Sequence, residues 1–166
     1  FDVLAMSPED RSTAIDKLFD RALLCQGEDR EFAVTDLVVI TESYALLSME
    51  GLKIINFVTN DILKSEDSKS PKEGGFVGLL YALTCLNSRR LCNQSEPFLL
   101  PCFAKLLAFA GDKSQSVRET SASVRLALLK VISPYSFRLI YPIISGTTGM
   151  KSEDWRIKEA ALQALE

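Results

Sequence analysis

Apolar residues recur along this chain at spacings of three and four, and the strict alternation of a strand is nearly absent. Ser7-Pro8-Glu9-Asp10 predicts the first helix start. Ser7 can accept from free N–H groups, Pro8 fits the first turn, and the acids suit the positive end of the helix dipole. Ile15, Leu18, Phe19, Ala22 and Leu23 then make one stripe, which Gln26-Gly27-Glu28-Asp29 breaks, with Gly27 suited to a left-handed helix end. A second helix follows to about Ser48, apolar at Phe32, Ala33, Leu37, Ile40, Tyr44 and Leu47. A third runs from about Glu50 to Lys64, with Leu52, Ile55, Val58, Ile62 and Leu63 inward. Ser65 to Pro71 reads as a polar loop, and the next helix covers about Lys72 to Leu86.

The remainder repeats the plan. A helix opens at Glu96-Pro97 and continues to Ala110; Gly111-Asp112-Lys113-Ser114 turns the chain into a helix from about Gln115 to Ile132. Ser133-Pro134 turns it again into a helix to about Ser145, and Ser152-Glu153-Asp154 caps the last one. Pro101 and Pro142 fall at matching places about two turns into their helices, where a proline removes one backbone hydrogen bond. Helix pairs therefore start near residues 8, 50, 96 and 134, over about 8–48, 50–87, 96–132 and 134–166. Intervals of about 40 residues are those of HEAT and armadillo repeats. The expected fold is all-α, a right-handed α-solenoid of about four HEAT-like pairs in a single array, whose curved surface is a binding platform.

Composition narrows the chemistry. The chain has 166 residues, 47% hydrophobic and 25% charged, with no histidine, which removes His-containing triads and imidazole metal sites. Cys25, Cys85, Cys92 and Cys102 show no CxxC spacing and read as small hydrophobes in a reducing compartment. No apolar run approaches the ~20 residues that span a bilayer. The chain lacks an initiator Met and ends inside a helical pattern, as expected of a piece of a longer protein. Net charge is −3, unevenly spread: residues 1–83 carry 8 Lys+Arg against 15 Asp+Glu, and residues 84–166 carry 11 against 7. An acidic half joined to a basic half arises from solvated helix faces, or from a second half that meets an acidic partner.

Candidate motifs are few. Gly146-Thr147-Thr148-Gly149-Met150-Lys151-Ser152 has two residues between its glycines where a phosphate-binding loop needs four, and it follows a helix instead of a strand. Paired carboxylates such as Glu28/Asp29 lie in turns and read as caps. No catalytic, cofactor-binding or metal-ligating residue is assigned. Asp112 followed by Arg118, with Trp155-Arg156 at the corresponding place of the last repeat, predicts a structural ladder between stacked repeats, because guanidinium can bridge a carboxylate in two places. Trp155 is expected to pack against the first helix of its own pair, at a cost on the order of 3–5 kcal/mol for Trp155→Ala. Arg89-Arg90, with Lys113, Arg125, Lys130, Arg138 and Lys151, would build a phosphate-binding edge if the solenoid aligns them, the alternative being solubilising surface. Without interleaved aromatics, any RNA contact is expected to be to structured backbone.

Lys72-Glu73-Gly74, Glu96-Pro97-Phe98-Leu99-Leu100-Pro101, Gly111-Asp112 before Val117-Arg118, and Trp155-Arg156-Ile157-Lys158 together resemble the N-terminal HEAT region of translation elongation factor three. They are also similar to the related region of the ribosome-bound activator of the amino-acid-starvation kinase. The resemblance implies a cytoplasmic ribosome-docking module that meets ribosomal RNA and ribosomal proteins, with Arg89, Arg90, Lys113, Arg138 and Lys151 as candidate contacts. It also implies a parent protein with two ATP-binding cassettes, using ATP and Mg to release tRNA from the ribosomal exit site. The fragment itself would then have no enzyme activity or cofactor, and no membrane or DNA partner. A generic HEAT protein-binding scaffold, of the starvation-kinase activator, transport receptor or phosphatase scaffold type, is the alternative.

Overall fold

The computed structural model describes residues 5–64 and 74–166, and side chains outside 61–74 of these. The loop expected over Ser65–Pro71, and the burial of Ile62 and Leu63, lie outside the described residues. Every regular element among the described residues is a helix, and none is a strand. The chain divides into two compact units, residues 1–84 and 85–166. Since Thr84 is uncharged, this division follows the charge division of the sequence.

Unit 1 contains α1 (Pro8–Leu24), α2 (Glu28–Tyr44), α3 (Met49–Lys64) and most of α4 (Gly74–Asn87). Ser7 caps α1 by accepting from the Asp10 N–H at 3.2 Å, and Pro8 occupies the first turn, as expected. Gly27 does take a positive φ of 61°, but as the residue that enters α2. α1 and α2 are antiparallel: Arg21 in the last turn of α1 pairs with Asp29 in the first of α2, and Arg11 reaches Tyr44 at the far ends. α3 instead runs alongside α1 in the same direction. Arg11 pairs with Glu50 at 3.0 Å, Lys53 with Asp16 at 2.6 Å, and Phe19 stacks on Phe57 with ring centroids 3.8 Å apart. Equivalent helices of successive pairs therefore neighbour one another, as a HEAT-like array requires. Ile15, Ala22, Leu37, Ile54 and Ile55 fill the core. A buried hydroxyl pair sits among them, with Thr41 donating to the Leu37 carbonyl and so left to accept from Tyr81 at 2.8 Å.

α2 ends at Tyr44, four residues before the expected Ser48, because Ala45 takes φ 69° and turns the chain. Leu47, beyond that turn, is exposed, and so is Phe32, which faces solvent on α2 itself.

Unit 2 contains the end of α4, α5 (Cys92–Leu99), a 3-10 turn (Leu100–Cys102), α6 (Phe103–Ala108), a second 3-10 turn (Phe109–Gly111), α7 (Gln115–Val131), α8 (Pro134–Ser145) and α9 (Trp155–Gln163). The helix expected to open at Glu96-Pro97 opens four residues earlier, with Ser88 accepting from the N–H groups of Arg90 and Leu91 in the entering turn. At Pro101 the chain tightens to 3-10, since the proline has no N–H for the carbonyl four residues back. α8 continues through Pro142 to Ser145. Leu99, Phe103, Leu106, Leu107, Val124, Leu128 and Ile144 make the core. Glu96 reaches the start of the next pair, accepting from the Ser133 N–H at 3.4 Å and from the Ser136 hydroxyl.

Candidate functional site

The basic residues of unit 2 are sorted by the direction of its helices. α6 and α7 are antiparallel about the turn at Asp112–Ser114, shown by Arg125 of α7 reaching Leu106 of α6. Two edges follow. At one edge successive pairs are joined: the turn with Arg89 and Arg90 leads into α5, Lys130 ends α7, and Glu96 links the start of α5 to the start of α8. Arg138 lies just over one turn into α8. At the opposite edge the helices within each pair are joined, and Lys113 and Lys151 stand there in neighbouring turns. The closeness of those turns is visible at Gly111, where an added Cβ would stand 2.6 Å from the Asp154 carboxylate of the next pair. The 17 residues of α7 separate the two edges by about 25 Å.

Arg89, Arg90, Lys113, Arg138 and Lys151 are all exposed, but the structure does not align them on a single edge. The edge between pairs gathers Arg89, Arg90, Lys130 and Arg138, while Lys113 and Lys151 belong to the other. Arg125 leaves the set altogether. It is 6% exposed, and its Nη1 donates to the Leu106 carbonyl at 2.7 Å and to the Ser121 hydroxyl at 3.0 Å. Burial pulls its pKa down to about 10, so it is still charged at neutral pH.

Arg30 repeats this arrangement in unit 1. It is buried, its Nε donates to the Ala22 carbonyl at 3.0 Å, and its guanidinium lies 5.8 Å from the centre of the Phe76 ring. Ala22 and Leu106 both lie in the last turn of a helix, whose carbonyls have no intrahelical partner. A buried arginine from the second helix of the pair supplies the missing donor. Reading by charge type placed Arg125 on the basic edge or on solubilising surface. The phase of the two buried arginines could have found them, since Arg125 falls on the stripe of Ser121, Val124 and Leu128, and Arg30 on that of Ala33, Val34 and Leu37.

The expected ladder takes another form. Arg118 bridges no carboxylate among the described residues; its Nη1 donates to the carbonyls of Asp112 and Lys113 at 2.7 and 2.9 Å, closing its own turn, while Asp112 accepts from the Ser114 N–H. Asp154 packs over Gly111 and caps α9 by accepting from the Arg156 N–H at 2.8 Å. Trp155 does not pack inward. It is 64% exposed, with the Arg156 guanidinium 5.2 Å from its ring centre, because the first position of α9 points to solvent once Asp154 takes the cap. Trp155→Ala is therefore expected to cost less than about 1 kcal/mol, a shift of under about 4 °C in a thermal melt.

Residues 146–152 turn their N–H groups onto their own chain: Gly149 and Lys151 donate to the Gly146 carbonyl, and Met150 to that of Ile144. Such a turn offers no cradle of free donors to a phosphate. None of the four cysteines forms a disulfide; Cys85 and Cys102 are buried, and burial pushes the Cys102 thiol up to about 11. Among the described residues no group of three or more acidic or cysteine side chains could hold a metal ion, and no helix is long and apolar enough to cross a membrane.

The family model described as the EF3 N-terminal HEAT repeat matches residues 30–166. The chain is 26% identical over 141 residues to an eIF-2-alpha kinase activator GCN1 of Dictyostelium discoideum, and 25% over 137 residues to the protein ILITYHIA of Arabidopsis thaliana. It is 23% identical over 143 residues to an elongation factor 3 of Gonapodya prolifera. These alignments cover 82%, 82% and 84% of this chain, but only 5%, 5% and 12% of the respective relatives. No solved structure matches.

Proposed function

The chain belongs to the EF3 N-terminal HEAT repeat family, and on that premise we propose that it is a ribosome-docking module of a translation factor. The single observation that carries the reading is the edge between pairs in unit 2, where exposed Arg89 and Arg90 stand with Lys130 and Arg138. Such an edge suits the phosphates of ribosomal RNA, and ribosomal proteins beside them complete the surface. In this reading the module works in the cytoplasm and performs no chemistry. ATP hydrolysis with Mg, and the release of tRNA from the exit site, belong to other parts of an elongation-factor-three-like parent.

Co-sedimentation of the purified chain with ribosomes tests this. Neutralising about three phosphates weakens binding by roughly 20–40-fold between about 50 and 200 mM salt. Arg89→Glu/Arg90→Glu is expected to abolish sedimentation at the higher salt, and Lys113→Glu/Lys151→Glu, on the opposite edge, to leave it unchanged. Failure of the wild type to sediment at either salt overturns the reading. Loss only in the Lys113/Lys151 variant moves the docking surface to the other edge.

The similarity to a kinase activator favours one second reading, a protein-binding scaffold. It predicts wild-type and Arg89→Glu/Arg90→Glu chains that both stay off ribosomes yet both bind the protein partner.

A further inference from the structure

We propose that the solvent face of α2 in unit 1 is a docking surface for a basic amphipathic helix of a partner protein. The face is laid out by the helix itself. At 100° per residue the exposed positions of α2 cover an arc of roughly 160°, and Val39 and Phe32 fall at its centre. They are 51% and 59% exposed, seven residues apart, so they form a ridge about 10 Å long along the helix axis. Exposed Asp29 and Asp36 flank the ridge on one side, and exposed Glu28 and Glu31 on the other. The only cation of α2, Arg30, is buried and turned to the Ala22 carbonyl. The nearby Arg21 of α1 pairs with Asp29 at 2.9 Å, a single cation beside these four carboxylates.

Charge decides the occupant. Four carboxylates against one cation around an apolar ridge repel RNA phosphates and anionic headgroups, and a second copy of the chain would set the same acids against themselves. A helix with apolar residues at positions i, i+3, i+4 and i+7 and lysine or arginine beside them satisfies both the ridge and its rim. This face is distinct from the basic edge of unit 2, and its assignment does not depend on ribosome binding.

The test is fluorescence anisotropy of the whole chain with a labelled peptide of about 18 residues, carrying Leu at helical spacing and Lys elsewhere. The control peptide carries Glu in place of each Lys. The Lys peptide is expected to bind at least about tenfold more tightly than the control, and to bind about tenfold more weakly to Phe32→Ser/Val39→Ser and to Glu31→Lys/Asp36→Lys. All four side chains are exposed, so circular dichroism melts of both variants should match the wild type. No binding of the Lys peptide, equal binding of the two peptides, or a Phe32→Ser/Val39→Ser variant that binds like the wild type overturns the proposal. So does a wild-type dimer in sedimentation that the same variant dissolves, since the ridge would then be covered by a second copy.

Discussion

Arg125→Ala is expected to destabilise unit 2 by about 3 kcal/mol, which for a chain of this length lowers the melting temperature by roughly 6–12 °C. The guanidinium donates to the Leu106 carbonyl and the Ser121 hydroxyl from a position 6% exposed to solvent. Removing it loses charge-assisted bonds, leaves a last-turn carbonyl without a donor, and opens a cavity among Val124, Leu128 and their neighbours. Relief of the buried charge offsets part of this, because burial disfavours the protonated form and has drawn the pKa to about 10. The sign is clear. A base whose folded pKa is depressed below its unfolded value carries a desolvation cost at every pH below about 10, relieved only as pH rises above that. Arg125→Met separates the contributions. It keeps the apolar stem and removes the charge, so only the orphaned carbonyl and lost bonds remain, at about 1–2 kcal/mol. Denaturant melts of the three proteins check the order, and an Arg125→Ala chain as stable as the wild type would show that the bonds contribute nothing net.

The same residue marks where reading a sequence stops. Helix starts were legible wherever a local rule acts alone: Ser7-Pro8 and Ser133-Pro134 cap and open α1 and α8 as their chemistry dictates. The rule failed at Glu96-Pro97, where the helix opens at Cys92 after the turn that Ser88 fastens and proline sits inside it, leaving Glu96 to hold the start of the next pair. No short-range signal distinguishes a glutamate that opens its own helix from one that caps a neighbour 37 residues away. Size misled in the other direction. Trp155 and Phe32 are large and apolar, yet phase along the helix turns both to solvent, while phase turns Arg30 and Arg125 inward. The basic edge was legible as residue types but not as geometry. Only the antiparallel run of α6 and α7 separates Arg89 and Arg90 from Lys113 and Lys151.

Gly51→Ala is expected to cost about 3 kcal/mol, the upper end for overpacking, because what a new methyl would meet is backbone. A Cβ at Gly51 would stand 2.4 Å from the Ala45 carbonyl oxygen and 2.6 Å from that of Leu46, in the turn that joins α2 to α3. That turn cannot easily give way. Ser48 fastens it from both sides, donating its hydroxyl to the Ala45 carbonyl at 2.7 Å and accepting from the Gly51 N–H at 3.0 Å. Ala45 itself is already strained at φ 69° and ψ 152°, a region that side chains avoid. The two positions therefore make opposite predictions within six residues. Ala45→Gly removes the strain at some cost in chain entropy and should stabilise by about 1 kcal/mol, whereas Gly51→Ala should destabilise. Leu46 is buried beside them, so any shift of the turn moves a core side chain as well. Thermal melts of both variants and of the pair decide the matter. If room is lacking at Gly51 only because Ala45 holds the turn in its strained form, the double variant will be more stable than the sum of the two single effects, since a relaxed turn can move away from the added methyl.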